Sequence, residues 1–498
     1  MGENGAMKPD PTRCSAAYKR GVVLLLMTAY TFNAMDRNII AIISQSMKLD
    51  LKLSDTQLGL LGGTAFAVLY AFGGIPIARL AERVSRVNII TAALIIWSAL
   101  SALCGAASSF PQLLLIRVGV GVAESGCSPP AHSLISDYFE PSRRTSALSV
   151  YSCGTSLGYL LAAVAGGYAA QHWGWRAACA LVGLPGLAIA LLIKAYIREP
   201  LRGHSETLQG HRDRRTLPPF SLQSEFRELG AVVRALLTDR PVRHMILGVS
   251  IGAFAAYGFY AFVPAYFSRT FDLDYGTIGI VAGLAGGVAV GFGIVAGGFV
   301  ADGLARRDAR WYALVPAIGG CIAAPFYLLA VVQPDWRAAA GLLALAGFFQ
   351  YASLGPTFGV VQNVVAKGRR ATATAVLYIC LSVFALGGGP LFTGWAIDRF
   401  AEVEFNSQDG ADGTPHGGGA SFKISCPGGV AATQASAAAV PASAAAQSAC
   451  HATLANATRR GLLVTLMFFA WACVHYLLAS LGIARSLALA SSVQSDST

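Results

Sequence analysis

The chain has 498 residues, of which 54% are hydrophobic and only 13% charged, and its mean hydropathy is +0.54. Because a soluble domain has about 25% charged residues, this composition excludes an ordinary soluble protein and predicts an integral membrane protein. A net charge of +11 could also indicate nucleic-acid binding. The positive residues, however, lie in short loops between apolar stretches, which is a signal of membrane topology.

The ten cysteines are mostly scattered singly within apolar segments, and neither a CxxC motif nor a Cys/His metal spacing occurs. The sequence therefore predicts no metal site and no cofactor. The first twenty residues are polar and basic, and they lack the apolar core of a removable signal peptide. We expect them to form an N-terminal tail.

Twelve apolar stretches, numbered here as spans 1 to 12, have the length of about 20 residues that a membrane-spanning helix needs. They are residues 21–46, 57–79, 88–107, 111–135, 145–170, 177–197, 243–267, 277–301, 311–332, 338–364, 371–397 and 461–484. An even number of spans places both termini on one side of the membrane. With that side in the cytoplasm, 26 Lys and Arg residues lie inside, 9 outside and 2 within the membrane. The positive-inside rule therefore predicts cytoplasmic termini, and we expect a bacterial inner membrane.

The sequence predicts five parts in chain order. These are a cytoplasmic tail at 1–20, a six-helix bundle at 21–197, a cytoplasmic linker with an amphipathic helix at 198–242, a second six-helix bundle at 243–484 and a cytoplasmic tail at 485–498. The amphipathic helix is expected to lie at the membrane interface, because its apolar residues recur at helical spacing beside a basic stretch.

An insertion at about 400–459, on the predicted outer side, is rich in Ala, Gly and Ser. Such a composition cannot bury a core, so we expect disorder or weak order there. Cys426 and Cys450 are the two cysteines of the insertion. Because the outer side is oxidising, they are predicted to form a disulfide.

The two halves contain related loops. ARLAERVSR (78–86) ends span 2 and GFVADGLARR (298–307) ends span 8, so that Glu82 and Asp302 are 220 residues apart. PSRRTSAL (141–148) after span 4 resembles KGRRATAT (367–374) after span 10. The two loops of each pair are separated by a similar number of residues. This indicates a duplicated six-helix unit, which is typical of transporters.

Twelve spans in two halves, with an acid followed by arginines after spans 2 and 8, resemble the major facilitator superfamily. The stretches NAMDRNII, LGLLGGTAFAVLYAFGGIPIARLAER, VGVAESGCSPPAHSLISDYF and WGWRAACAL are similar to its Spinster branch, whose members carry lysophospholipids and sphingosine phosphates. This resemblance implies an all-α membrane protein with two pseudo-symmetric six-helix bundles. The chain departs from the family pattern in two places. In the loop after span 2, both glycines and the aspartate of the family pattern are replaced, and the 400–459 insertion has no counterpart in that pattern.

Two pairs of charged residues lie inside spans. Asp36 and Arg37 are adjacent in span 1, and Arg117 and Glu124 are seven residues apart in span 4, on one helical face. A charge at membrane depth is costly, so these residues indicate either a transport site or internal ion pairs. Family resemblance implies that both spans adjoin one cavity, and we expect Asp36 and Glu124 to bind the coupled proton.

Arginine suits an anionic headgroup because its planar fork donates two parallel hydrogen bonds. A polar first half facing an aromatic second half would suit an amphiphile. The residues predicted to bind substrate are Arg37, Arg117, Asn33, Tyr257, Tyr260 and Phe254. For Arg117 a structural tie between helices is an equally weighted alternative, and aromatic stripes of this kind more often serve packing.

The family resemblance also implies a charged cytoplasmic gate that stabilises the outward-facing state. Its predicted members are Glu82, Arg83, Arg86, Asp137, Arg143, Asp302 and Arg306. The alternative is ordinary positive-inside charge.

The leading function is secondary active transport of an anionic lipid by alternating access, with proton coupling. A drug, sugar or organic-anion carrier and a non-transporting lipid sensor are the alternatives. No Walker motif and no catalytic Ser/His/Asp set occurs in the sequence, so ATP-driven transport and enzymatic activity are not expected. The expected partners are membrane lipids, a small amphiphile and protons, the chain is expected to be a monomer, and nucleic acid is not expected to bind.

Overall fold

A computed structural model of the chain describes residues 15–81, 83–139, 141–200, 222–365, 370–408, 422–427 and 444–495. Within these ranges the chain forms helices and turns and no β-strand. We call the end of the bundle at which the first helix begins the inner end, and the opposite end the outer end.

The first half contains spans 1 to 6. Its helices are α1 (Ala16–Leu51), α2 (Asp55–Gly59), α3 (Ala65–Ala81), α4 (Arg86–Cys104), α5 (Phe110–Glu124), α6 (Ser128–Tyr138) and α7 (Pro141–Tyr196). A π-helical turn at Leu60–Thr64 joins α2 to α3 within span 2. Spans 5 and 6 follow each other in α7 and are separated at Gly174, whose φ of 82° is a conformation that glycine adopts without strain.

The second half repeats this arrangement after an amphipathic helix, α8 (Leu222–Thr238). Its helices are α9 (Arg240–Phe271), α10 (Tyr275–Ala282), α11 (Val290–Ala305), α12 (Trp311–Val332), α13 (Trp336–Tyr351), α14 (Leu354–Val364), α15 (Arg370–Ile379), α16 (Gly388–Gln408), α17 (Phe422–Ser425), α18 (Ala444–Ser480) and α19 (Ile483–Ser495). π-Helical turns at Gly283–Ala289 and Cys380–Gly387 join α10 to α11 and α15 to α16.

Within the described ranges, nine helices are long and apolar enough to cross a membrane, and one of them, Ala147–Tyr196, holds spans 5 and 6. Spans 1 and 4 are not among the nine. Span 4 is interrupted between α5 and α6, so neither piece has the required length. Span 1 is a continuous helix of 36 residues, but it carries polar and charged side chains. The two spans that are not among the nine are the two that carry the mid-membrane charges.

The amphipathic helix predicted in the linker is present as α8. Its apolar residues Val232 and Leu236 are buried in a core that includes Val242 and Val361 of the second half. Helix α8 therefore lies against the protein at the inner end and contacts the start of span 7.

The expectation of disorder or weak order at about 400–459 is wrong at both ends of the insertion. Helix α16 extends to Gln408, and α18 already begins at Ala444. Cys426 and Cys450 are joined by a disulfide, with their Cα atoms 5.8 Å apart. The tail predicted at 485–498 is likewise helical as far as Ser495, in α19. Residues 409–421 and 428–443 lie outside the described ranges.

The two halves meet at the outer end. The largest apolar core includes Met47 and Leu53 of the first half together with Phe262 and Ile278 of the second. Helix α2 packs against α16, and α7 packs against α10. These contacts close the outer end of the space between the halves.

Candidate functional site

Arg37 and Glu124 form the first ion pair of the site. Asn33, Asp36 and Arg37 lie within two turns of α1, and Glu124 is the last residue of α5. Nε of Arg37 donates to Oε2 of Glu124 at 2.8 Å, and Nη2 of Arg37 donates to Oδ1 of Asn33 at 2.7 Å. Because Asn33 lies one turn before Arg37, the two contacts hold the guanidinium between α1 and α5.

Arg117 and Asp36 form the second ion pair. Nη1 of Arg117 donates to Oδ2 of Asp36 at 3.1 Å. The four charges predicted to share a cavity are therefore brought together, as two ion pairs that each join α1 to α5. Asp36 contacts Arg117 and Arg37 contacts Glu124, because neighbouring residues on a helix point about 100° apart.

The four charged side chains differ in access. Those of Glu124, Arg117 and Asp36 are 0%, 1% and 3% exposed, whereas that of Arg37 is 23% exposed. Several buried polar atoms of the site have no hydrogen-bond partner among the residues that the structure describes. They are Nδ2 of Asn33, Nε and Nη2 of Arg117, and Oε1 of Glu124. The site thus has spare donors and acceptors, and Arg37 is the charge that a ligand can reach directly.

Aromatic rings surround the accessible arginine. The guanidinium carbon of Arg37 lies 4.3 Å from the centroid of the Tyr70 ring and 5.2 Å from that of Phe66. These distances are typical of cation–π contacts. Tyr257 of α9 is 38% exposed and lies within electrostatic range of Arg37. Neither Tyr70 nor Phe66 was identified from the sequence, because aromatic residues in spans are most often packing residues.

Tyr260 and Phe254, the other aromatic candidates, lie in different surroundings. The hydroxyl of Tyr260 accepts a hydrogen bond from that of Tyr327 at 3.2 Å. Phe254 is only 7% exposed, and it packs against the rings of Phe384, Phe392 and Phe468. The sequence predicted that Phe254 binds substrate, but the structure places it in the packed interior of the second half, and we do not include it in the binding surface.

At the inner end, Arg86 joins two acids of the first half. It forms ion pairs with Asp137 and with Glu199, the latter at 2.7 Å. Glu199 also accepts hydrogen bonds from Ser85 and from the backbone of Val87. Burial raises the pKa of Glu199, but the hydrogen bonds and the arginine outweigh burial and leave the pKa below its usual value. Sequence reasoning missed Glu199, which follows the end of span 6 and resembles a loop acid.

The remaining predicted gate residues are distributed as follows. Arg83 is exposed, Arg306 is exposed, and Asp302 accepts a hydrogen bond from the hydroxyl of Tyr312 at 3.2 Å. Glu82 and the side chain of Arg143 lie outside the described parts of the chain. Arg86 contacts residues of the first half and Asp302 a residue of the second half, so the gating role of these residues stays a prediction.

A second charged cluster, which sequence reasoning did not identify, lies at the outer end. The carboxylate of Asp55, at the start of span 2, accepts hydrogen bonds from Nζ of Lys48 at 2.5 Å and from Nη2 of Arg269 at 2.6 Å. The side chains of these three residues are at most 3% exposed. Arg269 belongs to the second half and also donates to Gln45 at 2.7 Å and to Thr458 at 2.9 Å. We call Lys48, Asp55 and Arg269 the outer latch.

Asp398 of span 11 reinforces the outer latch. Its carboxylate accepts hydrogen bonds from the backbone N–H groups of Asp55 and Thr56 at 2.9 and 2.8 Å, and from the Thr56 hydroxyl at 2.6 Å. These N–H groups lie in the first turn of α2, where a helix has unpaired donors and a partial positive charge. Asp398 therefore caps a helix of the opposite half.

Comparisons with known proteins agree with this architecture. The family model of the Major Facilitator Superfamily matches residues 26–401. An MFS-type efflux pump of Mycolicibacterium smegmatis is 30% identical over 403 residues, which are 80% of this chain and 87% of the relative. The sphingosine-1-phosphate transporter SPNS2 of Danio rerio is 26% identical over 413 residues, which are 77% of each chain.

A solved structure provides a similar fold over nearly the whole chain. It is a bacterial homolog of the human lysosomal transporter Spinster, in an inward-facing and unoccupied conformation. The sequence identity is 31%, the TM-score is 0.79, and the match covers 95% of this chain and 99% of that one.

The chain therefore belongs to the major facilitator superfamily, and it is a multi-pass membrane transporter rather than an enzyme. Within that superfamily it belongs to the Spinster branch, as its first-half stretches predicted.

Proposed function

We propose that this protein is a proton-coupled secondary transporter that carries an anionic amphiphile across the membrane by alternating access. The observation that carries the proposal is the position of Arg37. It is the one accessible charge of a buried four-charge site, and its guanidinium is held by Glu124. An anion that replaces Glu124 as the partner of Arg37 would bind there with two parallel hydrogen bonds.

Protonation of Glu124 provides the coupling in this proposal. Asp36, Arg37, Arg117 and Glu124 sum to zero charge when both acids are ionised, and Glu124 also interacts with Asp36. A proton on Glu124 removes the repulsion between the carboxylates of Glu124 and Asp36, and it ends the ion pair of Glu124 with Arg37. Two unit charges about 4 Å apart interact by roughly 4 kcal/mol at an effective dielectric of 20. A change of that size in the electrostatic energy at Arg37 alters the affinity for an anion more than a hundredfold.

Proton and anion therefore favour each other's binding, because linkage between two sites is reciprocal. This relation favours movement of both in the same direction. The second pair, Asp36 with Arg117, is almost inaccessible and stays intact in this scheme. Its proposed role is to hold α1 against α5 and to keep the carboxyl of Asp36 near Glu124. For Arg117 we therefore prefer the structural role, a contact that joins two helices, over substrate binding.

We infer that the structure represents an inward-facing conformation, since the outer latch and the apolar core close the outer end. The similarity to the inward-facing bacterial homolog supports this inference. We propose a monomer in a bacterial inner membrane with both termini in the cytoplasm, which agrees with the distribution of Lys and Arg. A carrier of drugs or other organic anions is the second candidate, favoured by the similarity to the mycobacterial efflux pump.

The test is flux in proteoliposomes. Purified protein is reconstituted with labelled lysophospholipid or sphingosine phosphate, and uptake is measured with and without an imposed pH gradient. We expect gradient-stimulated uptake by the natural protein, loss of uptake in Arg37→Ala, and uptake that no longer responds to the gradient in Glu124→Gln. Arg310→Ala is the matched control, since Arg310 is exposed at the inner end. Full uptake by a well-folded Arg37→Ala protein would contradict the proposed role of Arg37.

A further inference from the structure

Span 10 of the second half is interrupted in the same way as span 4 of the first. Helix α13 ends at Tyr351 and α14 begins at Leu354, as α5 ends at Glu124 before the start of α6. Gln350 follows Glu124 by 226 residues, the same offset that separates PSRRTSAL from KGRRATAT. In the repeated six-helix unit, Gln350 therefore occupies the position that the buried acid Glu124 occupies in the first half.

A small cavity lies at this interruption, inside the second half. Its volume is about 10 Å³, which is room for one particle of the size of a water molecule or a small ion. Its polar lining consists of Gln350, Ser353, Tyr476 and the thiol of Cys473, and the other lining residues belong to spans 7, 9 and 12. Gln350 and Tyr476 are 7% and 3% exposed, whereas Ser353 is partly exposed. A ligand can therefore enter past Ser353.

The hydroxyl protons of this lining are already donated within the protein. The hydroxyl of Ser353 donates to the backbone oxygen of Gln350 at 3.0 Å. That of Thr357 donates to the backbone oxygen of Ser353 at 2.9 Å. Since a hydroxyl has one proton, the hydroxyl of Tyr476, 3.4 Å from that of Thr357, is the donor in their contact. The oxygens of Ser353 and Tyr476 are thus left as acceptors.

The amide of Gln350 adds a third acceptor. Its Oε1 atom is buried and has no hydrogen-bond partner among the residues that the structure describes. The contacts of Ser353 with Gln350 and of Thr357 with Ser353 and Tyr476 bring the three oxygen-bearing side chains to one side of the cavity. A buried acceptor without a partner is costly, so this set of oxygens calls for a ligand.

The chemistry of the three acceptors favours a cation over water. A water molecule donates two protons and would leave one acceptor unpaired, whereas a cation is coordinated by all three. Oxygen atoms are the ligands of hard cations. No carboxylate of the described residues lines the cavity, so a divalent charge would be poorly compensated there. The C-terminal end of α13 adds a partial negative charge, and interrupted helices in transporters coordinate Na⁺ at such ends.

We infer that the second half binds one small monovalent cation, Na⁺, in this cavity through oxygens of Gln350, Ser353 and Tyr476. The inference is independent of the proposed substrate, because these residues belong to the second half and the four-charge site to the first. The first half has a carboxyl group at the repeated position, which a proton can occupy. The second half has a carboxamide there, which does not titrate but can coordinate a metal ion.

Binding of radioactive Na⁺ to the purified full-length protein in detergent tests this site, with choline as the replacement ion at constant ionic strength. We expect saturable binding and a higher melting temperature in NaCl than in choline chloride. Gln350→Leu removes the amide oxygen and keeps a side chain of similar size, so the Kd for Na⁺ should rise about tenfold. Gln350→Glu, measured in mildly alkaline buffer, supplies a carboxylate and should lower that Kd.

Gln112→Leu is the matched control. Gln112 is exposed at the outer end of the first half, so this variant should bind Na⁺ as the natural protein does. Ser353→Ala is the second variant of the cavity and should also raise the Kd, which keeps the test valid if Gln350→Leu does not fold.

Two results would overturn the inference. Absence of saturable Na⁺ binding, with equal melting temperatures in NaCl and choline chloride, would leave the cavity to a water molecule. Na⁺ binding that is unchanged in Ser353→Ala and in both Gln350 variants would place the ion elsewhere in the protein.

Discussion

The outer latch makes a quantitative prediction about the balance between conformations. Arg269→Met keeps most of the side-chain length but removes the guanidinium that links Asp55 of the first half to Gln45 and Thr458. The pair is almost fully buried in the closed arrangement. In an open arrangement the same groups would meet water, so the substitution mainly destabilises closure.

The magnitude follows from the burial of the pair. Removing one partner of a buried ion pair costs about 3–5 kcal/mol. Asp55 retains Lys48 as a partner, so we use the lower end of that range. A change of about 3 kcal/mol shifts the ratio of closed to open molecules more than a hundredfold. A protein that is almost entirely closed would then populate both arrangements measurably.

Spin labels at the outer end provide the assay. We would place them at Ala106 of the first half and Ala338 of the second, both exposed, after replacing the exposed cysteines Cys153 and Cys321 with serine. Double electron–electron resonance should show one short distance in the natural protein and an added longer distance in Arg269→Met.

The matched control for this assay is Arg176→Ala. Arg176 also pairs with an acid at the outer end, Asp50, but both side chains are 45% exposed and both belong to the first half. Exposed pairs contribute little, so its distance distribution should equal that of the natural protein. An unchanged distribution in Arg269→Met would refute the view that the outer latch holds the halves together.

Three further changes test other parts of the structure. Asp36→Asn leaves a buried arginine without its acid and should destabilise the protein by about 3 kcal/mol, measured as a lower melting temperature in detergent. Because the pKa of Glu199 is lowered in the folded state, its stabilisation is present above the unfolded value of about 4.3 and is lost as the pH falls through the folded pKa. Glu199→Gln should therefore melt lower at pH 7 and show a smaller decline between pH 5 and pH 3. Cys450→Ser opens a disulfide across 24 residues and should cost about 3 kcal/mol, an effect that reductant reproduces in the natural protein and that Cys153→Ser, at an exposed free cysteine, does not show.

Much of the fold could be predicted because a membrane restricts the chain to helices of a known length. Apolar runs located the spans, although the helices of spans 11 and 12 extend to Gln408 and begin at Ala444, beyond the predicted bounds at 397 and 461. Gly174 separates spans 5 and 6 between their predicted ends at 170 and 177. The break between α5 and α6 lies directly before Pro129 and Pro130, which indicate a kink because proline lacks the backbone N–H of a continuous helix. The hydropathy of span 4 does not mark the turn after Glu124.

The candidate site was predicted in membership but not in pairing. Charged residues are rare inside apolar spans, so Asp36, Arg37, Arg117 and Glu124 were recognisable in the sequence as site residues. Which acid contacts which arginine depends on the rotation of α1 against α5, which hydropathy does not encode. The outer latch could not be predicted from the sequence for another reason. Its charges lie at the ends of spans, where the sequence does not distinguish an ion pair between the halves from an ordinary charge in a loop.

The close approach of the halves through glycine has a consequence for how they separate. A Cβ atom on Gly63 would lie 2.7 Å from the carbonyl oxygen of Leu386, and one on Gly279 would lie 2.1 Å from that of Ala163. Both contacts pair a glycine of one half with the backbone of the other, so no side chains interlock there. At these two points no interlocked side chain opposes separation, so the work of opening falls on the apolar core between the halves and on the outer latch. A single added methyl group at either glycine would act as a wedge, which offers a route to trapping the opposite conformation for structure determination.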